Sequence, residues 1–383
     1  MSKTMSENEA KCVLVIANLI TPGGMVTWFR DMIPRISSEY SVILATRGKP
    51  DSIRDSIENI QSNIKWWDLP LHSLRHVFAA YALSDIIHAF KPNVVIVHDS
   101  FAAIPVVFGR LLSGHNFPLI LVMHSRLDAY PMRRRLKGKI VNSILRIFLG
   151  EGDKIVVVSD FVAQGVEDII TKAVDLSCIP NGIAINKDEP DLSWAVGESL
   201  RVGFVGRLTP EKGPDRFVEL INLARTLDIS WHLIGSGSME SELKAKCKSV
   251  GMYHRVCFHG WVDSREVKRK LGKIDVLLVT SRTEGCPYSV LEAFAAGVLV
   301  IALPVGGVPA LLEGGRCGYL VPDLPGMMVV LSKLIDPSEA EIARKKIRNA
   351  YALLQQKYSL DRMSAAYVKI INQSIASCEI ISR

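Results

Sequence analysis

The chain has 383 residues, of which 48% are hydrophobic, so it is long and apolar enough for two packed domains. No run approaches the uncharged apolar length that spans a bilayer, and the polar, acidic N-terminus lacks a signal-peptide pattern. Its seven scattered cysteines form no C-x-x-C pair, which argues against a disulfide framework or zinc site and favours a reducing cytosol, and its net charge of +7 is unevenly spread.

Short apolar runs alternate with helical stretches through the N-terminal half, which predicts a parallel sheet with helices on both faces. A glycine loop containing Gly23 and Gly24 follows the first of these runs, and two others end in His98 and His124. A strand-end histidine is usually satisfied by a backbone carbonyl, and we favour this interpretation for His98. The predicted strands are Cys12–Ile16, Val94–His98, Leu119–His124 and Ile155–Ser159.

Positive charge is concentrated between Arg126 and Arg146, where Asp128 is the single acid. Apolar residues at helical spacing predict an amphipathic helix; they are Leu136, Ile140, Ile144 and Ile147. Such a helix can lie on an anionic membrane surface, each nearby cation contributing about 1 kcal/mol, or it can pack on its domain with a solvated basic face. The candidate membrane-surface cations are Arg133, Arg134, Arg135, Lys137 and Lys139. Few aromatic residues accompany them and no nucleic-acid module surrounds them, so we expect no nucleic-acid partner.

Two Rossmann-like domains are indicated because a strand followed by a glycine loop begins near Cys12 and again near Arg201. The polar, proline-containing stretch Asn181 to Glu198 is the predicted linker. We therefore place an N-terminal domain at 1–185 and a C-terminal domain at 186–358. A helix predicted at Leu360 to Ile380 lies in the closing segment 359–383.

The second domain opens with a strand, a glycine turn at Gly206 and two cations, Arg207 and Lys212, before a helix. A guanidinium fork and a mobile ammonium suit the oxygens of a diphosphate, although single cations at a loop are more often solvated surface charge. A further strand runs into Gly235-Ser236-Gly237, which allows close approach to a nucleotide. The full G-x-G-x-x-G spacing is absent, so this segment alone is an ordinary strand-to-helix turn.

Two glutamates, Glu284 and Glu292, flank a turn after the apolar strand Ile274 to Thr280. Glu284 lies on the loop, and Glu292 lies about one turn into a helix predicted from Tyr288 to Ala296. Carboxylates accept hydrogen bonds from vicinal sugar hydroxyls, and free backbone N–H groups from Gly285 to Ser289 can donate to a sugar or phosphate. Spacing alone is equally consistent with a solvated acid at each end of an ordinary strand-loop-helix.

In this order the segments resemble the retaining GT-B glycosyltransferases of the family 4 group. The matching motifs are Gly206-Arg207-Leu208 with Lys212-Gly213, Gly235-Ser236-Gly237, Glu284 to Glu292, Gly306-Gly307-Val308-Pro309 and Gly318 to Pro322. The resemblance covers most of residues 200 to 325 and is looser in the N-terminal half. Cys286 stands where the family often has Phe or Leu, which leaves the identity of the sugar open.

The resemblance implies a GT-B fold, two Rossmann-like domains with parallel sheets facing a central cleft, and a closing helix that crosses back onto the first domain. It implies catalytic roles for Arg207, Lys212, Glu284 and His124, with the two cations on the leaving diphosphate. The implied donor-binding residues are Gly23, Gly24, Gly206, Gly235, Gly285, Cys286, Pro287, Tyr288, Ser289 and Glu292. No D-x-D motif follows a strand, and paired cations can replace a metal, so we expect no metal or other cofactor.

The implied activity is transfer of a hexosyl unit, with retention, from a UDP- or GDP-linked sugar to a glycan or lipid-linked acceptor, as in bacterial surface polysaccharide synthesis. We expect a cytoplasmic protein that can bind peripherally to the inner face of the membrane. Two other functions remain open from the sequence: a GT-B sugar epimerase, for which no base near the sugar C2 is found, and a catalytically silent, membrane-associated GT-B subunit.

Overall fold

The computed structural model describes residues 11–19, 23–49, 53–54, 64–69, 76–126, 132–166, 174–185 and 199–381, with the backbone alone at 76–77, 132–135 and 379–381. These residues form two compact units. The first contains the described residues up to Val158, from Ala163 to Ile179 and from Ser364 onwards. The second contains Ser159–Val162 and the described residues of Pro180–Met363. Each unit is built on a parallel sheet, so the predicted α/β class with two Rossmann-like domains is confirmed.

The first sheet has seven strands in the order β3-β2-β1-β4-β5-β6-β7, and every neighbouring pair is parallel. Its central strands are continuous apolar runs, as expected when helices cover both faces of a parallel sheet. The strands are β1 Cys12–Asn18, β2 Ser41–Arg47, β3 Ile64–Asp68, β4 Val94–His98, β5 Leu119–Met123, β6 Lys154–Val157 and β7 Asp175–Cys178.

The helices α1 to α4 belong to the first unit, and the short α5 lies mostly in residues grouped with the second. They are α1 Gly24–Ser37, α2 His76–Phe90, α3 Ser100–Ser113, α4 Met132–Phe148 and α5 Asp160–Ala163. The end of the chain also joins this unit. There the ring of Tyr367 packs edge-on against Trp28 with centroids 5.3 Å apart, and the Tyr40 hydroxyl donates to Asn372 Oδ1 at 2.9 Å.

The second sheet has six strands in the order β10-β9-β8-β11-β12-β13, again all parallel. The strands are β8 Leu200–Val205, β9 Ile229–Ile234, β10 Val256–Gly260, β11 Val276–Val279, β12 Leu299–Ala302 and β13 Tyr319–Leu320. The helices are α6 Pro214–Leu223, α7 Glu240–Ser249, α8 Ser264–Leu271, α9 Tyr288–Ala295, α10 Val308–Leu311, α11 Leu324–Leu334, α12 Ala340–Lys357 and α13 Leu360–Ile381, the last of which continues into the first unit.

Each sheet reverses its strand order at one place, between β1 and β4 in the first and between β8 and β11 in the second. At such a switch point the loops after the two strands separate and leave a crevice at the carboxyl edge of the sheet, where open α/β sheets bind ligands. Arg207 and Lys212 follow β8, and Glu284 follows β11. The topology of the second unit therefore brings the residues that are predicted to bind the diphosphate and the sugar to one edge of its sheet.

Within the described part of the chain, none of the helices combines the length and the apolar character that crossing a membrane requires.

Candidate active site

A buried carboxylate with two partners occupies the switch point of the second sheet. Glu284 is 7% exposed, and its Oε1 and Oε2 accept from Lys212 Nζ at 2.8 and 2.9 Å. The Ser281 hydroxyl donates to the same Oε1 at 2.7 Å. Burying a carboxylate is costly unless it is paired and hydrogen-bonded, as it is here. Glu284 is therefore not the solvated loop acid that its spacing alone allowed.

The backbone on either side of this cluster is joined by side-chain hydrogen bonds. Lys212 ends a single 3-10 turn, Pro210–Lys212, and Gly213 follows it in the left-handed region at φ 63°. The buried Thr280 hydroxyl donates to the Gly213 carbonyl at 2.8 Å. Arg216, in the first turn of α6, donates to the carbonyls of Thr280 and Ser281 at 3.3 and 3.2 Å. These hydrogen bonds join two segments that are distant in sequence, and they hold Lys212 next to Glu284.

An ion pair also connects the same two segments on their exposed side. Arg282 donates to both oxygens of Asp215, at 2.9 and 2.6 Å, and to the Pro210 carbonyl at 2.7 Å. The hydrogen bond from Arg282 lowers the pKa of Asp215, and its positive charge adds to the effect against the opposing effect of burial. Both side chains are partly exposed, so the pair contributes modestly to stability, and its main effect is to order the loops.

Arg207 lies in the same segment but pairs with a different acid. Its guanidinium lies 2.9 Å from Glu211 Oε1, and both side chains are about one-third exposed. The predicted convergence of Arg207 and Lys212 on one diphosphate remains a prediction, because in the structure each cation contacts its own glutamate.

Two of the glycines in these loops allow close backbone contacts that a side chain would prevent. Gly235 has φ 136°, and a Cβ there would collide with the Gly206 carbonyl. Gly306 has φ 58°, and a Cβ there would collide with the carbonyl of Glu284. Gly307 N–H also donates to that carbonyl at 3.0 Å. The G-x-G turn therefore supports the Gly206 turn, and the glycine pair before α10 supports the Glu284 loop.

The residues after Glu284 run from the loop into α9, which begins at Tyr288 as predicted. Gly285, Cys286, Pro287 and Tyr288 are buried, and Ser289 is half-buried. The Cys286 carbonyl accepts from Asn181 Nδ2 at 2.6 Å, which fixes the turn. No side chain caps α9, so its first N–H groups are not taken up by a cap. Glu292 lies one turn into α9 and is half-buried.

In the first unit, His98 and His124 form a direct pair. His98 Nδ1 lies 2.8 Å from His124 Nε2, and the rings stack with centroids 5.1 Å apart. Burial lowers the pKa of His98 well below 6.5, and His124 adds to the shift; burial lowers the pKa of His124 to about 4. His98 is a core histidine as expected, but the expected backbone carbonyl partner was wrong, because the ring nitrogen contacts another histidine.

The glycine loop of the first unit follows β1 at the other switch point. Gly23 and Gly24 are exposed, and α1 begins at Gly24. The Gly23 carbonyl accepts the first intrahelical hydrogen bond, from Thr27 N–H at 3.2 Å. Thr21 and Pro22 lie outside the described residues.

The predicted basic helix is α4, but its apolar stripe does not face the core. Leu136, Ile140 and Ile147 are 59%, 63% and 77% exposed. The buried side of the helix carries instead Val141 and Leu145. Lys137 and Lys139 are exposed, whereas the side chains of Arg133, Arg134 and Arg135 lie outside the described residues. Ile144, the fourth residue of the predicted stripe, is half-buried. The helix therefore packs on its domain through a side that only partly coincides with the predicted stripe, and both alternatives for its exposed face stay open.

Among the residues of the second unit that hold the site and that sequence reasoning missed, Ser281 and Asn181 lie nearest to the predicted ones. Ser281 shares the carboxylate of Glu284, and the buried Asn181 holds the Cys286 carbonyl. A serine three residues before a loop glutamate is a weak signal, and Asn181 is 105 residues away from Cys286. Among the described residues, the one His, Cys, Asp and Glu group spaced for a metal is His232, Cys257 and His259, which includes none of the predicted donor-site residues.

Two family models match the chain and together cover most of it. "Glycosyltransferase Family 4" matches residues 22–187, and "Glycosyl transferases group 1" matches residues 199–336. With the two parallel-sheet α/β units, these matches show that the chain belongs to the GT-B glycosyltransferases of family 4.

Similar proteins support the same assignment. The lipopolysaccharide 1,6-galactosyltransferase of Escherichia coli K12 is 24% identical over 362 residues, covering 92% of this chain and 96% of that protein. The putative colanic acid biosynthesis glycosyltransferase WcaL of Salmonella typhimurium is 27% identical over 51% of this chain and 53% of its own. The fold matches Anabaena HepE, solved in complex with UDP-glucose, with a TM-score of 0.78 at 16% identity, covering 96% of this chain and 99% of that one.

Proposed function

We propose that this glycosyltransferase moves a hexosyl unit, with retention, from a nucleotide-diphospho-sugar to a glycan or lipid-linked acceptor in bacterial surface polysaccharide synthesis. The observation that carries the proposal is the Lys212–Glu284–Ser281 cluster at the switch point of the second sheet. The names of the similar lipopolysaccharide and colanic acid enzymes favour this class of product, and the UDP-glucose bound by HepE favours a UDP-sugar over a GDP-sugar.

Lys212 has the donors needed to serve both the protein and a phosphate. An ammonium has three N–H groups, and the two oxygens of Glu284 account for two contacts. The third N–H is available for a phosphate oxygen of the donor. As the glycosidic bond breaks, negative charge grows on that diphosphate, so the contact strengthens towards the transition state and lowers the barrier. Arg207 contributes a second, planar donor set once it leaves Glu211.

Glu284 has acceptor capacity left for the sugar. A carboxylate offers about four lone-pair positions, and Lys212 and Ser281 fill three. The remaining position, on Oε2, accepts a hydroxyl of the transferred hexose. Glu292 accepts the ribose hydroxyls, and the N–H groups at the start of α9, with Gly285 to Ser289, hold the sugar or phosphate. The family resemblance alone assigns Gly23, Gly24 and His124 of the first unit to the same reaction.

Charge neutralisation by Arg207 and Lys212 replaces a metal in this proposal, so turnover needs no divalent cation. His124 acts as a neutral hydrogen-bonding group, because burial lowers its pKa to about 4. The neutral ring accepts or donates one hydrogen bond to the sugar without adding a charge that would compete with the diphosphate.

An exposed apolar surface supports binding to a lipid-linked acceptor at a membrane. Three consecutive helices of the first unit, α2, α3 and α4, carry large exposed apolar side chains, which we call the apolar patch: Phe78, Tyr81, Phe108, Leu111, Leu112, Leu136, Ile140 and Ile147. The α4 sequence adds cations and no carboxylate. Apolar side chains with adjacent cations are typical of a surface that inserts into an anionic leaflet, so we propose peripheral attachment through this patch.

Release of nucleoside diphosphate in the presence and absence of acceptor tests the proposal. We expect release from a UDP-sugar only with a glycan or lipid-linked acceptor and at an equal rate in excess chelator. Epimerisation of the sugar in the absence of an acceptor would instead indicate the epimerase. Donor binding with no turnover on any surface-glycan acceptor would indicate the silent subunit.

A further inference from the structure

Three side chains with metal-binding atoms meet at the edge of the second sheet, within strands and not in the donor loops. They are His232 on β9 and Cys257 and His259 on the edge strand β10. Their ligand atoms all lie within 4.8 Å of one another. His232 Nδ1 is 3.1 Å from His259 Nε2, and Cys257 Sγ is 3.9 Å from His259 Nδ1.

Strand register explains why the three share one face. In the parallel β9–β10 pair, Cys257 lies directly opposite His232, so both side chains point to the same side of the sheet. His259 follows Cys257 by two residues, which returns to that side, and the register shifts between Phe258 and Gly260. On the other flank of His232 the paired residue is Gly203, which presents no side chain.

We propose that His232, Cys257 and His259 bind a zinc-type divalent cation that pins the edge strand β10 to β9. Zinc takes imidazole nitrogen at about 2.0–2.1 Å and thiolate sulfur at about 2.3 Å, so tetrahedral ligand atoms lie about 3.3–3.6 Å apart. With one ligand atom from each residue, the three atoms lie within 4.8 Å of one another, so side-chain rotations have to bring them closer to reach these separations. Cys257 is exposed, so an ion can enter from solvent, and its thiol releases one proton on binding.

A hydrogen-bond chain holds the two histidines when no metal is bound. Lys270 Nζ donates to His259 Nδ1 at 2.8 Å, so the proton of this neutral ring lies on Nε2 and is donated to His232 Nδ1. A metal between the two rings binds His259 Nε2, and the displaced proton moves to His259 Nδ1, which can then no longer accept from Lys270. Lys270 then moves towards Glu266, whose Oε1 it already meets at 3.3 Å. Lys270 thus competes with the metal, and its removal should tighten binding.

Cobalt is the probe of choice, because a cysteine thiolate bound to Co²⁺ gives a charge-transfer band in the near ultraviolet and tetrahedral Co²⁺ gives intense visible bands. The full chain, purified without a histidine tag, is titrated with CoCl₂ and then with ZnCl₂. We expect one Co²⁺ per chain with both bands, displacement by Zn²⁺ and no displacement by Mg²⁺, which prefers oxygen ligands.

Cys257→Ser should abolish the charge-transfer band, and His259→Gln should weaken binding strongly, whereas Lys270→Gln should bind several-fold more tightly than the wild type. Cys178→Ser is the matched control, because Cys178 is also an exposed thiol at a strand of a parallel sheet. Far-ultraviolet circular dichroism without metal confirms that each variant folds. Absence of the band in the wild type, or its persistence in Cys257→Ser, would overturn the proposal.

Discussion

Lys212 and Glu284 are separated by 72 residues in the chain, and the structure makes them direct partners. The carboxylate is buried and takes two of the three ammonium donors, so it fixes where the remaining N–H points. A preoriented cation of this kind stabilises developing charge without reorganising during the reaction. The contact with Glu284 therefore orients the Lys212 ammonium.

Replacing this ammonium should therefore affect the chemical step. We expect Lys212→Ala to lower kcat by about 100- to 1000-fold, or about 3–4 kcal/mol, with a much smaller change in donor affinity. Steady-state release of nucleoside diphosphate and calorimetric titration of the donor separate the two effects. Lys244→Ala is the matched control, since Lys244 also pairs with a glutamate, at 2.7 Å, on the surface helix α7. An unchanged kcat in Lys212→Ala would remove Lys212 from the mechanism.

Glu292 should affect binding and not the rate of the bound complex. A hydrogen bond to a charged group contributes about 1.5–3 kcal/mol, so we expect Glu292→Ala to weaken donor binding by about tenfold or more. Titration with the donor and with the free nucleoside diphosphate should show the same loss, because both contain the ribose. Glu219→Ala, an exposed acid on α6, controls for charge removal. Equal affinities in Glu292→Ala and the wild type would reject the ribose role.

At the scale of elements, the ends of β4 and β5 bring together two histidines of the first unit, the buried His98 and the half-buried His124. Both have pKa values below 6.5, mainly because of burial. The unfolded chain binds protons between pH 6.5 and about 4 that the folded chain does not, so stability falls as the pH falls through this window. Each histidine lowers the free energy of unfolding by about 1.4 kcal/mol for each pH unit between its unfolded and its folded pKa.

We therefore expect the urea midpoint of the wild type to fall between pH 6.5 and pH 4.5, and to fall less in His124→Gln, which keeps a hydrogen-bonding partner for His98. His88→Gln, exposed on α2, should retain the wild-type slope. The same slope in all three proteins would show that the pair does not govern acid stability.

The helices α2, α3 and α4 give the first unit its apolar patch. Inserting one large apolar side chain into lipid gains about 1.5–3 kcal/mol, or about tenfold or more in binding. We expect Ile140→Ser with Ile147→Ser to reduce binding to vesicles containing anionic lipid at every salt concentration. Leu223→Ser, at a 43% exposed residue on α6, is the matched control.

Neutralising Arg133, Arg134 and Arg135 should reduce the same vesicle binding chiefly at low salt, since screening weakens surface charge. If the variant with Ile140→Ser and Ile147→Ser binds vesicles as well as the wild type does, insertion of α4 is excluded.

Elements with a strong local signal were predictable and those that depend on distant pairing were not. The apolar run Val94–His98 and the helix starting at Tyr288 are found as predicted, because burial on both faces and a glycine-proline turn mark them locally. The α4 helix was also predicted, but hydrophobic period gives no direction, so its exposed stripe appeared only in the structure. The His232–Cys257 pairing depends on strand register, which the sequence does not state.

At the scale of the whole molecule, the two family matches identify a family 4 glycosyltransferase, and the nucleotide of the donor that we propose for it is still to be identified. A donor that binds the folded state raises its stability by RT ln(1 + [L]/Kd), or about 2.7 kcal/mol at a hundredfold excess over Kd. Thermal-shift measurements with UDP-, GDP- and ADP-sugars should therefore single out one nucleotide, and we expect a UDP-sugar. A tenfold weaker Kd leaves about 1.4 kcal/mol at the same donor concentration, so the shift should fall to about half in Glu292→Ala and stay unchanged in Glu219→Ala.

The proposed site also predicts the stereochemical course of the reaction at the anomeric carbon of the transferred sugar. In the proposed arrangement, the Lys212–Glu284 cluster holds the departing diphosphate, whose oxygen can take the proton of the acceptor hydroxyl, and the sequence indicates no carboxylate nucleophile for the opposite face of the sugar. We therefore expect the acceptor to form its bond on the face that the leaving group vacates, so that an α-linked donor gives an α-linked product. The coupling constant of the anomeric proton, recorded by NMR before the product can equilibrate, reports the configuration. A β-linked product from an α-linked donor would require an activating base on the opposite face and would contradict the proposed retention.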